Sequence, residues 1–238
     1  MPSRSRAVKP PAGSADPYLR VRQLLVRGDI RPGTRASESS LAAHLDVSRT
    51  PVREAIHRLL AEGLLVVDGG GARPRIAAAP VGIVDAEDVY QAAGALEGIA
   101  ARRLDRLSLA ARKALTAELR ARHATFQQAT RARKLDFDVV FQRHNAFHTA
   151  LHDACAGPAL RGMIDLLQPR LDRYEWLYAN FMVPNLNATL VEHAAIIRAV
   201  AAGDAAAAER AVRANAFNGG ARLVKALEAI ARANESDD

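Results

Sequence analysis

Three histidines occupy positions that suit the binding of a metal ion. His144 and His148 lie four residues apart and share one face if their segment is a helix, and His193 comes from a different segment. Imidazole nitrogens are good ligands for Zn²⁺ and Ni²⁺. The pattern predicts a divalent-metal site, with a polar cavity lining or direct binding of an anionic effector as the alternatives. His123 and His152 lack matching partners and are expected on the surface.

Two arginines form a second pattern, which suits the recognition of nucleic acid. Arg49 and Arg53 are four residues apart, and Ser48 and Thr50 lie where their helix would begin. Arginine can donate two hydrogen bonds to the O6 and N7 atoms of guanine. Hydroxyls, free N–H groups and the helix dipole favour phosphate at a helix N-terminus. These residue types at this spacing therefore suit contact with a nucleic acid.

Two short helices and a hairpin would position these arginines. Ser37 is a suitable N-cap for a helix over residues 38–45, and a turn at 46–47 leads to a second helix, which Ser48 caps and Gly63 ends. Two helices joined by a short turn form a helix-turn-helix. Two apolar strands around a glycine-rich turn then form a hairpin, the wing, with strands at 64–67 and 75–77 and the turn at 68–71.

Helical periodicity continues beyond Pro80, and no strand pattern recurs. Short connections between helices favour an antiparallel bundle. The predicted fold class is mainly α, an N-terminal winged helix-turn-helix followed by an all-α helical bundle. The predicted helices of the bundle cover residues 84–107, 109–132, 137–154, 158–180, 187–202 and 204–233. The predicted domains are a disordered basic arm (1–16), the winged helix-turn-helix (17–79), the helical domain (80–233) and a tail (234–238).

Positive charge is concentrated in the N-terminal third of the chain. The formal net charge is +7; residues 1–80 hold 13 lysines and arginines against 7 acidic residues, and residues 81–238 hold 20 against 19. A basic segment beside a nearly neutral remainder indicates a polyanion-binding module. The single cysteine, Cys155, excludes an intramolecular disulfide and suits a reducing cytoplasm. No apolar run is long enough for a membrane span, so no membrane partner is expected.

The segment LAAHLDVSRTPVREAIHRLLAEGLL, residues 41–65, closely resembles the GntR family of bacterial regulators, and GDIRPGTR at 28–35 matches the family's lead-in. The resemblance covers about residues 18–78. It implies that Arg49 and Arg53 read bases. It also implies that the wing, around Gly69 to Gly71 with Arg73 and Arg75, reaches the minor groove. The residues implied to set the position on the DNA backbone are Arg35, Glu38, Ser48 and Thr50; the wing residues singled out are Gly70 and Arg75.

The C-terminal part resembles the FCD domain of the FadR-like subgroup of that family. Leu96-Glu97, Phe147-His148-x-x-Leu151, Glu192-His193-x-x-Ile196 and Gly203-Asp204 carry this resemblance. It implies a helical bundle that usually dimerises and holds a small carboxylate ligand, often beside a divalent metal.

Three positions depart from the FCD pattern, because His144 stands in place of Asp or Asn, Asn215 in place of a fourth His, and Ala93 in place of an effector-binding Arg. Asn215 or water is expected to complete a Zn²⁺ or Ni²⁺ shell, and Asn215 and Glu97 are expected in the effector pocket.

These features lead to one main hypothesis and two alternatives. The main hypothesis is a cytoplasmic, effector-controlled transcription regulator, a repressor in preference to an activator, that binds a palindromic operator in double-stranded DNA as a homodimer. One alternative is an architectural protein that binds any duplex. The other is a metal-dependent hydrolytic enzyme, but Glu192 points about 100° away from His193 on a helix and no catalytic motif occurs. The chain is therefore not expected to be an enzyme.

Overall fold

The computed structural model describes residues 16–69, 75–179 and 183–235. The chain divides into two compact units, residues 1–81 with 169–177 and residues 82–168 with 178–238. The predicted fold class, a winged helix-turn-helix plus an all-α bundle, is confirmed. Apart from their innermost residues, the predicted arm and tail lie outside the described residues, and the predicted domain boundaries stay a prediction.

Unit 1 contains three helices and a two-stranded antiparallel hairpin in its described part. The helices are α1 (Pro17–Val26), α2 (Glu38–Leu45) and α3 (Arg49–Ala61), and the strands are β1 (Leu65–Asp68) and β2 (Arg75–Ala78). The hairpin register pairs Leu65 with Ala78 and Asp68 with Arg75. The glycine-rich tip of the predicted wing, residues 70–74, lies outside the described residues.

Local sequence explains where these helices begin and end. The Asp16 side chain accepts a hydrogen bond from the backbone N–H of Tyr18, which caps α1. Ser37 caps α2 in a reciprocal capping box with Ser40. The turn into α3 passes through Asp46, whose φ of 56° places it in the left-handed region. Aspartate tolerates that conformation better than most residues do, so the helix-turn-helix is built into the local sequence.

One apolar core holds unit 1 together. Leu24 and Leu25 of α1, Leu45 of α2 and Ile56 and Leu59 of α3 are buried in it. The helical spacing of these residues gives each helix one apolar face. Because those faces are buried against one another, the opposite face of α3 remains exposed.

Unit 2 contains six helices in its described part, in agreement with the six predicted from the sequence. They are α4 (Ile83–Arg102), α5 (Leu109–Thr130), α6 (Phe137–Cys155), α7 (Pro158–Leu177, whose residues 169–177 belong to unit 1), α8 (Leu186–Ala202) and α9 (Ala205–Glu235). The first helix ends five residues earlier than predicted, because residues 103–106 form a 3-10 turn. None of the described helices is long and apolar enough to cross a bilayer.

Two glycines allow α4 and α9 to pack closely. A Cβ at Gly98 would lie 2.6 Å from the Cγ of Arg213, and one at Gly220 would lie 2.8 Å from the Cβ of Tyr90. Both distances are shorter than packed carbon atoms tolerate. Larger residues would therefore push these two helices apart.

Helices α5, α6 and α8 pack against one another around an apolar core that includes Leu119, Phe147, Leu151, Ile196 and Val200. Each of these side chains is essentially inaccessible to solvent. The packing fixes the faces of α6 and α8 that carry His148 and His193.

Candidate functional site

The start of α3 presents polar side chains on the surface of unit 1. Ser48 is the N-cap residue, and Arg49, Thr50 and Arg53 are exposed. The Ser48 side chain makes no capping hydrogen bond to any residue that the structure describes. The N–H groups of the first turn have no partner within the helix. Because the helix dipole also places positive partial charge there, this end of α3 suits a phosphate.

Glu38 of α2 holds one edge of the Arg53 guanidinium group. Arg53 Nε donates to Glu38 Oε1 at 2.9 Å, and Nη2 donates to Oε2 at 3.1 Å. This pair lowers the pKa of Glu38 and raises the pKa of Arg53 from their ordinary values. A guanidinium group carries five N–H donors in a rigid plane. The pair therefore fixes the orientation of Arg53 and leaves the Nη1 side for another acceptor.

The other predicted DNA contacts of unit 1 lie along the hairpin. Arg35 forms an antiparallel bridge with Ala77, and Arg75 pairs with Asp68. Both arginines are exposed. Gly70 falls in the part of the wing outside the described residues.

Arg58 has a different environment from Arg53, although both belong to α3. Its guanidinium carbon lies 3.5 Å from the centroid of the Tyr18 ring, and the Tyr18 hydroxyl donates to Glu62. Burial, followed by the hydrogen bond to Glu62, raises the pKa of Tyr18. Arg58 thus links α3 to α1 through a cation–π contact.

The histidine cluster of unit 2 brings together the three predicted ligands. The ring centroids of His144 and His148 are 4.8 Å apart, and they lie 5.3 and 5.2 Å from that of His193. Their candidate ligand nitrogens all lie within 4.8 Å of one another. Helix α6 supplies two of the rings and α8 supplies the third, as the sequence predicted.

Aromatic neighbours fix the rings of the cluster. Phe147 stacks on His193 with a centroid distance of 3.9 Å and an interplanar angle of 7°. Phe126 of α5 lies 5.3 Å from His193 and 5.5 Å from His144. A ring held on a buried aromatic surface has few alternative rotamers. The apolar surroundings therefore orient the cluster.

The ring nitrogens of the cluster are short of hydrogen-bond partners. Nε2 of His148 and both nitrogens of His193 are buried and have no hydrogen-bond partner among the described residues. Nδ1 of His148 makes no well-aligned hydrogen bond there either, although Glu97 Oε2 lies 3.2 Å from it. Burial lowers the pKa of His148, and burial with the neighbouring histidines lowers that of His193 still further. Both rings are thus neutral near pH 7 and keep a lone pair, the form that binds metal ions. Buried unsatisfied nitrogens of this kind fit a bound cation.

The cluster extends to two residues whose surroundings the sequence did not reveal. Glu97 of α4, predicted in the effector pocket, is buried, and its Oε2 lies 3.2 Å from His148 Nδ1 and 3.5 Å from His152 Nε2. Burial acts to raise the pKa of Glu97, but its contacts with the two histidines lower it by more. The expectation that His152 lies on the surface was wrong, because its side chain is 3% exposed.

His123 was also expected on the surface, and the structure places it beside the cluster. It is half-buried on α5, with its ring centroid 6.1 Å from that of His193. Burial lowers the pKa of His123 as well. Its spacing in the sequence matches no other histidine, so only the packing of α5 against α8 reveals this proximity.

Asn215 is held by Glu192 through a hydrogen bond. Its Nδ2 donates to Glu192 Oε2 at 2.8 Å, and the same carboxylate accepts hydrogen bonds from Asn218 and from two nitrogens of Arg222. Burial raises the pKa of Glu192, but these hydrogen bonds lower it by more. The Nδ2 atom of Asn215 therefore donates to Glu192, and Oδ1 is the atom that Asn215 could offer to a ligand. Its predicted place in the effector pocket stays a prediction.

Comparison with known proteins places both units in one family. The model of the bacterial regulatory protein gntR family matches residues 15–73, and the model of the FCD domain matches residues 88–216. The chain belongs to the GntR family of bacterial regulators. An HTH-type transcriptional regulator from an unstable DNA locus of Streptomyces ambofaciens is 32% identical over 199 residues, which cover 83% of this chain and 79% of that protein.

Two further relatives of this GntR-family regulator illustrate the range of similarity. The Nta operon transcriptional regulator of Aminobacter aminovorans is 63% identical over 35 residues, 15% of this chain and 17% of that protein. The solved structure of E. coli McbR/YncC has the same fold, with a TM-score of 0.67 at 20% identity over 88% of this chain and 95% of that one.

Membership of the family decides the class of the protein. The chain is a transcription regulator with an FCD domain, and its relatives are regulators and not enzymes. Regulators of the GntR family bind operator DNA and effectors and generally act as dimers, and FCD domains bind metals in some members. The hydrolase alternative also loses its candidate base, because the Glu192 carboxylate is bound to Arg222.

Proposed function

We propose that this regulator is a repressor whose binding to operator DNA is controlled by a small carboxylate effector. The observation that carries the DNA-binding part is the exposed start of α3, where Arg53 is oriented by its two hydrogen bonds to Glu38. A side chain fixed along one edge loses less conformational entropy when its other edge binds a base. This arrangement supports operator recognition by α3 in the major groove.

Each predicted DNA-contacting residue receives a role in the proposal. Arg49 and Arg53 read base edges, where guanine is the preferred partner of arginine. Ser48 and Thr50 donate to phosphate at the start of α3. Glu38 acts through Arg53, which refines its predicted role of setting position on the DNA backbone. On the hairpin, Arg35 contacts phosphate, and Gly70 and Arg75 bring the wing to the minor groove.

The histidine cluster is the proposed effector site. His144, His148 and His193 hold one divalent ion, with Zn²⁺ or Ni²⁺ favoured by the three nitrogen ligands. When bound, the ion supplies a positive charge and open coordination positions for the effector's carboxylate. The chain's own residues orient the ligands through the Phe147 stack and exclude water by burying His193.

Control of operator binding requires that the effector favour one state of the protein over another. We propose that two copies of the chain form a homodimer and read a palindromic operator in the cytoplasm. Two symmetry-related α3 helices would contact half-sites about one helical turn of DNA apart.

The first test of operator recognition is selection of binding sites by the full chain from a pool of random duplexes. We expect a palindromic sequence to be enriched, and Arg53→Ala to lose most of its preference for that sequence. Arg58→Ala is the matched control, because Arg58 lies on the same helix but contacts Tyr18. Enrichment of no sequence would favour the architectural alternative and would contradict the proposal.

The second test addresses the effector. The selected duplex is titrated with metal-loaded protein while a panel of small carboxylates is added. Release of DNA by one of them, lost in His148→Ala, supports a metal-dependent repressor. DNA binding that strengthens with the carboxylate would make the protein an activator or a co-repressor-dependent repressor. Release that survives in His148→Ala would make the histidines a plain pocket lining.

A further inference from the structure

Glu97 is a buried carboxylate that faces two imidazoles of α6. Glu97 Oε2 lies 3.2 Å from Nδ1 of His148 and 3.5 Å from Nε2 of His152. The two histidines are four residues apart on α6 and therefore point to the same side of it. The exposed fraction of the side chain is 9% for Glu97, 11% for His148 and 3% for His152. All three side chains are thus shielded from bulk water.

A carboxylate in such a place needs favourable partners. Burial of a charged group costs free energy unless it is paired and hydrogen-bonded. Among the described residues, the basic side chains beside the Glu97 carboxylate are His148 and His152. An ionised carboxylate only accepts hydrogen bonds, so a nitrogen that faces it favourably must carry the proton.

This requirement selects one tautomer of His148. A neutral imidazole has one N–H and one lone pair. If Nδ1 carries the proton toward Glu97, the lone pair is on Nε2. Nε2 of His148 is buried and has no hydrogen-bond partner in the described part of the chain. The ring that carries it lies 4.8 Å from the ring of His144 and 5.2 Å from that of His193.

We propose that Glu97 is a positioning residue of the metal site. Its carboxylate accepts the Nδ1–H of His148 and thereby directs the Nε2 lone pair of His148 to the ion shared with His144 and His193. The inference rests on the metal site proposed above. It also gives that site a charge, because three neutral imidazoles bring none of their own. Histidine ligands of metals commonly donate their second N–H to a carboxylate, which fixes the ring and makes it a better ligand.

His152 has a supporting role in this arrangement. Its Nε2 lies 3.5 Å from the same oxygen, so the carboxylate lies between two imidazoles. Glu97, His148 and His152 also lie close enough to ligate an ion directly. A neutral His148 has one lone pair and can serve only one of the two groups. The proposal assigns that lone pair to the group of His144 and His193.

The first experiment measures the tautomer in metal-free, full-length protein with ¹⁵N-labelled histidine. Long-range ¹H–¹⁵N correlation spectra distinguish a protonated ring nitrogen from a bare one, and His148→Gln identifies the signals of His148. We expect a proton on Nδ1 and a bare Nε2 in the wild type, and a shift toward the Nε2–H form in Glu97→Leu, which has no acceptor. A wild-type His148 protonated on Nε2, or a folded Glu97→Leu with the tautomer unchanged, overturns the proposal.

The second experiment measures Zn²⁺ affinity by competition with a chromophoric chelator. Glu97→Gln keeps the size of the side chain and removes its charge, and we expect an affinity on the order of 10–100-fold weaker. Glu209→Gln is the matched control, since Glu209 of α9 pairs with Arg213. Wild-type affinity in a folded Glu97→Gln overturns the proposal. If Glu97→Gln does not fold, Glu97→Asp takes its place, because the shorter side chain withdraws the carboxylate from His148.

His152→Asn separates positioning from direct ligation. We expect this variant to retain one Zn²⁺ per chain, whereas His144→Ala loses it. Loss of the ion in His152→Asn but not in His144→Ala overturns the proposal, because Glu97, His148 and His152 would then be the ligands. If the wild type binds no Zn²⁺, the proposed metal site fails, and the tautomer of His148 still decides the role of Glu97 by itself.

Discussion

The start of α3 and the histidine cluster are built in opposite ways. The α3 site takes Arg49, Thr50 and Arg53 from five consecutive residues and leaves them exposed. The cluster draws its residues from α4, α5, α6 and α8 and buries His193 completely. Exposed polar groups keep their hydration in the free protein, whereas buried ones lose it and must be compensated by a partner.

The contrast has a consequence for stability as well as for binding. Substitutions at the exposed start of α3 should change DNA binding and leave folding nearly unaffected. Substitutions in the cluster should change both ligand binding and stability, because its unsatisfied nitrogens lower the stability of the fold until a ligand satisfies them.

The largest expected effect comes from removing His193. In the wild type, Zn²⁺ at 100 times its dissociation constant should raise the free energy of unfolding by about 2.7 kcal/mol. In His193→Ala we expect no such increase and a metal content near zero, measured by thermal melts and elemental analysis. His44→Ala is the control, because His44 is exposed on α2. Equal metal content in His193→Ala and the wild type would remove His193 from the ligand set.

Arg53→Ala tests the exposed site at the start of α3. We expect it to weaken specific operator binding by about 1–3 kcal/mol, because a bidentate contact to a base is lost. The melting temperature should stay near that of the wild type. Arg58→Ala should reverse this pattern and lower stability by about 0.5–1 kcal/mol through the loss of the contact with Tyr18. A wild-type footprint with Arg53→Ala would remove that residue from base recognition.

The two regions also differ in how much of them the sequence could reveal. Capping residues such as Ser37, the turn at Asp46 and the apolar spacing of α3 are local signals, so the helix-turn-helix and its exposed arginines were predictable. His144 and His148 were predictable as a pair because four residues is one helical turn. Local spacing cannot show which face of α6 packs against α4, and for that reason the burial of His152 was missed.

Other parts of the cluster depend on tertiary packing alone. Glu97 was placed in the C-terminal site by resemblance, but its contact with His148 requires the packing of α4 against α6. The proximity of His123 to His193 requires the packing of α5 against α8. Contacts between residues about 50 or more positions apart in the sequence leave no periodic signal. A contiguous motif on one helix can therefore be read from one sequence, whereas a buried site assembled by packing can be read only in part.

The pH dependence of stability sharpens the comparison further. The pKa of His193 lies well below its ordinary value in the folded chain, so below about pH 6.5 the unfolded chain binds a proton that the folded one does not. The free energy of unfolding of metal-free protein should thus fall as the pH decreases below that value. The slope from this residue is up to about 1.4 kcal/mol per pH unit.

Chemical denaturation between pH 7.5 and 5.5, followed by circular dichroism, measures this slope. His193→Gln removes the titrating group and should flatten the dependence, while Arg53→Ala on the exposed site should leave it as it is. A slope that is the same in His193→Gln and the wild type would mean that other groups account for the acid sensitivity.

The smallest expected effects come from two serines that cap neighbouring helices. Ser37 caps α2 through a capping box, whereas Ser48 precedes α3 without a side-chain capping bond to the described residues. Ser37→Ala should lower the free energy of unfolding by about 1 kcal/mol and leave DNA affinity unchanged. Ser48→Ala should leave stability unchanged and weaken binding by about 0.5–1.5 kcal/mol on operator and random duplex alike, because a phosphate contact carries no sequence information. Denaturant titrations and DNA-binding isotherms on the same two variants measure both quantities. If Ser48→Ala lost as much stability as Ser37→Ala and kept its DNA affinity, the Ser48 hydroxyl would serve the fold and not a phosphate contact.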